Sequence, residues 1–484
     1  MGTGNDTLLV SGGSVSDTIA LGDGDDKATI GGKIGVSTLD GGAGADTLTF
    51  DGAAAGAPKY MSFGLQKADA SWLYFGNHYV AYSATPNGTN PTIDALQAAL
   101  AGGPLQFQYG FSTTNTSIES LTWKGVETVN AKGGVHEDTL VYINGTEYAG
   151  NGGVDTFYAD WSSWTEAVIW TNTKNAGNSQ LSDEAVSTLG ATHQVKVSGM
   201  ERLLLLTGSG NDTIVQNVTG SDDEFRTGAG NDFIDGGSGN DQMLGGKGND
   251  TYVVNSTGDV VTELASEGAD TVSTWINYTL GTNLENLRIL ATGSINGTGN
   301  ELANVMFAGD GNNVLDGAGG TDTVSFLYAA SGVTANLAAA GQQATGGSGS
   351  DTLLNFENLT GSGFNDVLAG NAGANVLDGG AGADAMAGGD GSDTYYVDNA
   401  GDVVTEVNAD AATGGTDLVL SQLANYTLGA NVENGRILAA GAANLSGNSI
   451  ANTLFAGAGN NSIAGGAGST RCLTSTASAA ARWA

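Results

Sequence analysis

Acids recur every nine residues in this chain, most of them just behind a run of glycines, and that spacing restricts the possible fold more than any other feature. Between Thr227 and Val253 the sequence runs T-GAGNDFID-GGSGNDQML-GGKGNDTYV, and Asp223, Asp232, Asp241 and Asp250 fall nine residues apart. The same step carries Asp366, Asn375, Asp384 and Asp393, and again Asn304, Asn313 and Asp322. Near the start, Asp6, Asp17, Asp26, Ser37 and Asp46 alternate steps of 11 and 9. Two residues beyond most of these acids stands an apolar side chain: Leu8, Ile19, Leu48, Ile214, Ile234, Met243, Tyr252, Leu353, Leu368, Met386 and Tyr395. The unit reads as a glycine turn, an acid, and a three-residue strand with one inward side chain.

Glycine permits the positive φ that a tight turn needs and lets carbonyls come close to an ion. Residues 18 or 20 apart then lie one coil apart on the same side, about 4.8 Å up the stack. The pairs are Asp223 with Asp241, Asp232 with Asp250, Asp366 with Asp384, and Asp6 with Asp26 and then Asp46. Two carboxylates at that separation repel by about 3 kcal/mol at an effective dielectric near 20. A divalent cation between them removes the conflict. Carboxylate and carbonyl oxygens suit Ca²⁺, and no His or Cys cluster suits zinc. The competing reading is that Asp and Asn only cap turns through local hydrogen bonds. Asn304, Asn313 and Asn375 lack the charge of a strong ligand.

Gly41-Gly42-Ala43-Gly44-Ala45-Asp46-Thr47-Leu48-Thr49 reads G-G-x-G-x-D-x-U-x at every specified position, as do the units starting at Gly236, Gly245, Gly379 and Gly388. The pattern resembles the RTX (hemolysin-type calcium-binding) repeat family. That resemblance implies an all-β fold, a right-handed parallel β-roll or β-helix solenoid with calcium-binding glycine-rich turns. Two nonapeptides make one coil, and several Ca²⁺ ions lie between successive turns. The metal-binding positions it implies are Asp6, Asp17, Asp26, Gly41, Gly44, Asp46, Asp212, Asp223, Gly228, Gly230, Asp232, Gly237, Gly239, Asp241, Gly246, Gly248, Asp250, Asp322, Asp351, Asp366, Gly380, Gly382, Asp384, Gly389, Gly391 and Asp393. It also implies type I export without a cleaved N-terminal signal, and folding outside the cell as calcium becomes available.

Composition agrees with such a fold. The chain has 79 glycines in 484 residues and only four prolines, so the glycine belongs neither to a proline-rich linker nor to a collagen. Acids outnumber bases 51 to 15, a net charge of −36, which repels nucleic acid and anionic membranes and favours cations. Only 14% of residues are charged while 40% are hydrophobic, so a core can form. The first residues show no basic and apolar signal peptide, and Met1 stands in mid-repeat. The longest leucine run, Leu203 to Leu206, is too short for a transmembrane segment, and Cys472 has no internal disulfide partner.

Seven regions follow. Residues 1–50 hold N-terminal calcium-binding coils. Residues 51–206 are β-rich coils with an insertion near 56–115. Residues 207–255 form a β-roll block, 256–345 are coils with partial repeats, and 346–400 form a second β-roll block. Residues 401–468 repeat the 258–320 region, and 469–484 form an aberrant tail. The longer repeat is plain: Asp250 to Val254 and Gly258 to Glu263 return as Asp393 to Val397 and Gly401 to Glu406. Phrases of apolar-Glu recur at Glu127, Glu201, Glu285, Glu357 and Glu433, each read as a coil with a wider loop. All four prolines, all three histidines and five of seven tryptophans lie in 51–206. Asp94 to Ala101 reads as one short helix capped by Thr92. The Trp161, Trp164 and Trp170 group with Tyr79, Tyr82 and Tyr109 suits either a sugar platform or coil core.

In the tail, the repeat calls for Asp two residues after Gly468, and the chain gives Ser469-Thr470-Arg471-Cys472-Leu473-Thr474-Ser475-Thr476 instead. Those residues can be encoded by bases that read Asp-Thr-Leu-Leu-Asp-Phe-Asp one frame over. A frameshift would make 469–484 non-native and unpacked; a divergent tail is the alternative. No catalytic motif is present: His136-Glu137-Asp138-Thr139-Leu140 is not H-E-x-x-H, and no G-x-S-x-G or P-loop lysine occurs. The expected function is a calcium-binding structural module of a secreted bacterial exoprotein, surface-layer protein or adhesin, located outside the cell. Its expected partners are calcium and either cell-surface polysaccharide or a second copy. The alternative is an extracellular polysaccharide-acting enzyme (lyase, epimerase or glycosidase) built on a β-helix.

Overall fold

The structure, a computed structural model, describes residues 3–10, 18–31, 37–51, 60–66, 72–75, 93, 107–112, 119–124, 128–132, 139–141, 147–149, 155–171, 184–188, 194–198, 200, 202–216, 220–408, 414–473 and 482–483. Every named element among them is a β-strand, and no described helix is long and apolar enough to cross a membrane. The expected helix at 94–101 lies outside the described residues, apart from Ile93 just before it. Ile93 is buried, and its N–H donates to Glu224 Oε2 at 3.0 Å. The chain divides into two compact units, Met1–Gly268 and Ala269–Ala484, and each is a parallel β-solenoid.

In the first unit Thr7–Val10, Lys27–Gly31, Thr47–Asp51 and Thr128–Lys132 pair in parallel, which aligns Leu8, Ala28, Leu48 and Val129. The ladder passes directly from Thr47–Asp51 to Thr128–Lys132. Between them in sequence, Tyr60–Gln66, Trp72–Phe75 and Phe107–Ser112 pair antiparallel. Further on, Arg202–Leu206, Glu224–Arg226, Gln242–Leu244 and Val260–Val261 make one face. Thr213–Val215, Phe233–Asp235 and Thr251–Val254 make the other. The three-residue strands each leave one apolar side chain pointing inward, so Ile214 and Ile234 form a buried column that Tyr252 continues, and Phe225 and Met243 line the facing one. Strand Arg202–Leu206 is buried along its whole length, so the core is broader there and narrows to facing single-residue stacks along the repeats.

In the second unit one parallel ladder runs from Thr271–Thr274 to Thr470–Leu473. Its inward column reads Val272, Leu287, Met306, Val324, Leu359, Leu377, Tyr395, Val419, Gly435, Leu454 and Cys472. The last strand departs from the expectation that the tail stays unpacked: Thr470–Leu473 pairs with Asn452–Phe455, and Cys472 takes the apolar position opposite Leu454. Alternation of side chains along an extended strand suffices for this, because Arg471 then points out and is exposed.

The aromatic group is mostly core. Trp161 and Trp170 are buried, Phe157 stacks on Trp170 with ring centroids 6.0 Å apart, and Trp164 is half-buried against Trp161. No side chain of Tyr79, Tyr82 or Tyr109 falls within the described set.

Candidate metal centre

At the glycine turns, coil-to-coil contact is so close that a side chain has no place. Gly248 holds φ at +129°, and a Cβ there would lie 1.6 Å from the carbonyl oxygen of Gly230; a Cβ on Gly230 would in turn lie 2.0 Å from that of Gly210. Most of the turn glycines singled out in the sequence (Gly44, Gly228, Gly230, Gly237, Gly239, Gly246, Gly248, Gly380, Gly382, Gly389 and Gly391) share the positive φ. Gly41 instead stands within strand Ser37–Ala43.

Beside the turns, two hydrogen-bond ladders run in opposite senses. In the inner one, the N–H of each turn acid donates to Oδ1 of the acid one coil further on. Asp6 bonds Asp26 at 2.7 Å, Asp26 bonds Asp46 at 2.8 Å, and Asp212 bonds Asp232 at 2.7 Å. Asp223 bonds Asp241 at 2.9 Å, Asp232 bonds Asp250 at 2.8 Å, and Asp366 bonds Asp384 at 2.8 Å. In the outer ladder the preceding residue donates backward: Asn231 N–H to Asn211 Oδ1 at 2.9 Å, Asn249 N–H to Asn231 Oδ1 at 2.8 Å, and Ala45 N–H to Asp25 Oδ1 at 3.0 Å. The outer residues are solvated and the inner ones buried, apart from the half-buried Asp6. The sequence pairs at 18 and 20 residues are thus in contact, through backbone as well as charge. The capping role read as an alternative is present too: it acts between coils along the ladder and within a turn where Asp366, Asn304 and Asn375 accept from the N–H groups of Ser362, Asn300 and Asn371.

The apolar-Glu phrases enter the same ladder. Asp270 N–H donates to Glu285 Oε2 at 2.9 Å, Asp322 N–H to Glu357 Oε2 at 2.8 Å, and Asp417 N–H to Glu433 Oε2 at 2.9 Å. The rung after each Glu is an Asn. Asn304, Asn375 and Asn452 donate Nδ2 to the carbonyl oxygens of Glu285, Glu357 and Glu433, at 3.2, 2.7 and 3.3 Å. A carboxylate cannot donate, so an amide is required where the preceding coil offers a carbonyl. These Asn and Glu roles are invisible to a search for the nonapeptide, which treats Glu as out of phase and Asn as a weakened Asp. The signal that could reveal them is the recurring order Asp, Glu, Asn, Asp. Glu127 and Glu201 lie outside the described residues, as does Asp17.

The second carboxylate oxygen separates the sequence-implied ligands into two kinds. Asp212 Oδ2 accepts from the Thr207 hydroxyl, Asp223 Oδ2 from Ser221 Oγ at 3.0 Å, Asp351 Oδ2 from Thr345 Oγ1 at 2.6 Å, and Asp366 Oδ2 from the Ser362 N–H at 2.6 Å. In contrast, Oδ2 of Asp26, Asp241, Asp384 and Asp393 is buried without a hydrogen-bond partner among the described residues. Asp241 is 0% exposed. Buried anionic oxygens in this state require a cation or a proton. Burial first, and then the neighbouring carboxylates, push Asp241 up to about 8; burial likewise raises Asp223 and Asp232 to about 7, and Asp322, Asp384 and Asp393 to about 6. The N–H donors of the ladder pull the other way without overcoming desolvation.

A family model described as the RTX calcium-binding nonapeptide repeat (4 copies) matches residues 32–52, 218–252, 298–326, 360–395 and 441–469. The matched turns are RTX calcium-binding repeats. The matched RTX segments contain the inner-ladder residues Asp46, Asp223, Asp232, Asp241, Asp250, Asp322, Asp366, Asp384 and Asp393. The chain is also similar to the Endo-1,3-1,4-beta-glycanase ExsH of Rhizobium meliloti (strain 1021), 38% identical over 117 residues. That stretch is 24% of this chain and spans 23% of the glycanase.

Proposed function

We propose that this chain is a calcium-loaded structural module of a secreted exoprotein, surface-layer protein or adhesin, which folds outside the cell as its turns take up Ca²⁺. The observation that carries the reading is the set of buried carboxylate oxygens without hydrogen-bond partners among the described residues at Asp241, Asp384 and Asp393, inside the matched RTX segments, and at Asp26. In this reading the Asp carboxylates, with turn glycine carbonyls, supply hard oxygens to several ions. Calcium supplies positive charge to the ladder, and the inner Oδ1 bonds hold each carboxylate in place for it. In calcium-poor cytosol the stacked charges oppose closure of the coils. At extracellular calcium the same charges drive it, which couples folding to export.

The test is isosteric. Asp241→Asn together with Asp384→Asn keeps the Oδ1 acceptors and removes two charges, so calcium bound per chain should fall. Asp160→Asn, at an exposed acid at the end of strand Thr156–Asp160 and outside the matched repeats, should leave it unchanged. Equal stoichiometry in all three proteins would overturn the assignment.

The similarity to a glycanase favours a second reading, in which the module serves or contributes to a polysaccharide-acting exoenzyme. Reducing-sugar release from a mixed-linkage β-glucan by the calcium-loaded chain would establish it; no release by chain that has bound calcium and folded would leave the structural module alone.

A further inference from the structure

The longer repeat that ends in Glu263 and Glu406 is not explained by the nonapeptide, because both glutamates stand on the stretch after the last glycine turn of a block. In the second unit, Glu406 reaches back between two rungs of the inner ladder. Asp393 N–H donates to Asp417 Oδ1 at 2.9 Å across 24 residues, a longer step than the usual 18. Carboxylate oxygens of Asp393, Glu406 and Asp417 all lie within 4.8 Å of one another. We propose that these three carboxylates form a buried site for one divalent cation of the calcium class, built around Glu406 and distinct from a pair of glycine turns.

Burial and bonding both point to a ligand. Asp393 and Asp417 are 1% exposed and Glu406 5%. Glu406 Oε2 and Asp393 Oδ2 are buried and have no hydrogen-bond partner among the described residues. The charges that act on the group are negative: Asp417 and Asp390 on Asp393, Asp393 and Glu433 on Glu406, and Glu406 and Glu433 on Asp417. Oxygens on opposite sides of a calcium ion, each at about 2.4 Å, stand about 4.8 Å apart, so the cluster has the span of one coordination sphere.

Glu406 is also oriented with care. Gly388 N–H donates to the Tyr395 hydroxyl at 2.6 Å, and that hydroxyl donates to Glu406 Oε1, which leaves Oε2 for another partner. Tyr395 Oη and Asp393 Oδ2 converge beside Gly388, where a Cβ would lie 2.3 and 1.9 Å from them. The first unit repeats the device: Gly245 N–H donates to the Tyr252 hydroxyl at 2.6 Å, and Tyr252 donates to Glu263. A hydrogen-bonded tyrosine that fixes one carboxylate oxygen and frees the other is how a protein orients a metal ligand from behind.

The site extends the calcium reading to a residue outside the nonapeptide, and its test is separable from that reading. Calcium per chain is measured by equilibrium dialysis at saturation for the parent chain, Glu406→Gln and Asp241→Asn. Gln keeps the oxygen that accepts from Tyr395 and removes one charge. Glu406→Gln should bind one ion fewer per chain while keeping the β-type circular dichroism of the parent. Unchanged stoichiometry in folded Glu406→Gln, with a loss in Asp241→Asn, overturns the site and leaves the turns intact. A parent chain that binds no calcium overturns both. Should Glu406→Gln fail to fold, the parent decides: anomalous diffraction from its calcium-grown crystals should show a calcium peak in contact with Asp393 and Glu406. A cluster without that peak overturns the proposal.

Discussion

The backbone N–H of Asp223 donates to Oδ1 of Asp241 at 2.9 Å, while Oδ2 of Asp241 has no hydrogen-bond partner among the described residues. One carboxylate therefore does two separable jobs: one oxygen joins consecutive coils, and the other remains for a cation. Asp241→Asn should keep the first job and lose the second. Without calcium, this variant should keep more β signal than the parent, because a buried charge is gone. With saturating calcium the order should reverse. Asp241→Ala should be weaker in both conditions, by about 1–3 kcal/mol, because the Asp223 N–H is left buried without an acceptor. Circular dichroism in chelator and thermal melts in calcium check both orders.

Protons should substitute in part for calcium. Burial raises Asp223 and Asp232 to about 7 and Asp241 to about 8, far above the ordinary carboxylate value of 3.8. The folded chain then holds more protons than the unfolded chain between those values. This contribution to stability is full below the unfolded pKa and is lost as pH rises through 7 to 8. In chelator, the chain should therefore hold more β structure at pH 5 than at pH 8, and apparent calcium affinity should be weaker at pH 5. A calcium-free β signal that falls on acidification from pH 8 to pH 5 would contradict the burial of these groups.

The Glu and Asn rungs give a pair of opposite substitutions. Glu357→Ala removes the acceptor of the Asp322 N–H and should cost about 1–3 kcal/mol, whereas Glu357→Gln should cost less. Asn375→Asp replaces the Nδ2 donor to the Glu357 carbonyl by an oxygen, so two acceptors face each other. Its destabilisation should be larger at pH 8 than at pH 5, where the new carboxyl can protonate and donate. Denaturant midpoints at the two pH values check the contrast.

Glycine is required only where coils touch. Gly248→Ala should prevent closure of its coil, since the new Cβ would meet the Gly230 carbonyl at 1.6 Å in a positive-φ conformation. Gly293→Ala, with nothing within 4 Å of its Cβ, should stay within about 0.5 kcal/mol of the parent. Expression and melting of the two variants in calcium decide between a steric and a compositional role for the glycines.

These contrasts also mark how far the sequence could be read. The nine-residue step set the coil length, the inward column through Ile234 and Tyr252 in the first unit and that through Tyr395 in the second, and the stacking of Asp223 on Asp241, because all of these follow from period alone. Bond direction does not follow from period. Whether a rung offers an N–H or a carbonyl depends on how the previous coil turns, and this is why Asn375 looked like a diluted Asp when it is a donor to Glu357. The period hides Glu406 for a similar reason: its partners Asp393 and Asp417 are 13 residues before it and 11 after it, outside any nonapeptide register. The last strand, Thr470–Leu473, shows the limit from the other side. Strand pairing needs backbone and alternation more than a conserved pattern, so a stretch without the repeat residues still continues the ladder.

The central claim is that buried acids in these turns make the fold depend on calcium, and far-ultraviolet circular dichroism of the whole chain tests it most directly. In chelator at pH 8 and low salt the β signal should be largely missing, and it should appear as calcium is titrated in. A full β spectrum in chelator, unchanged by calcium, would contradict the account.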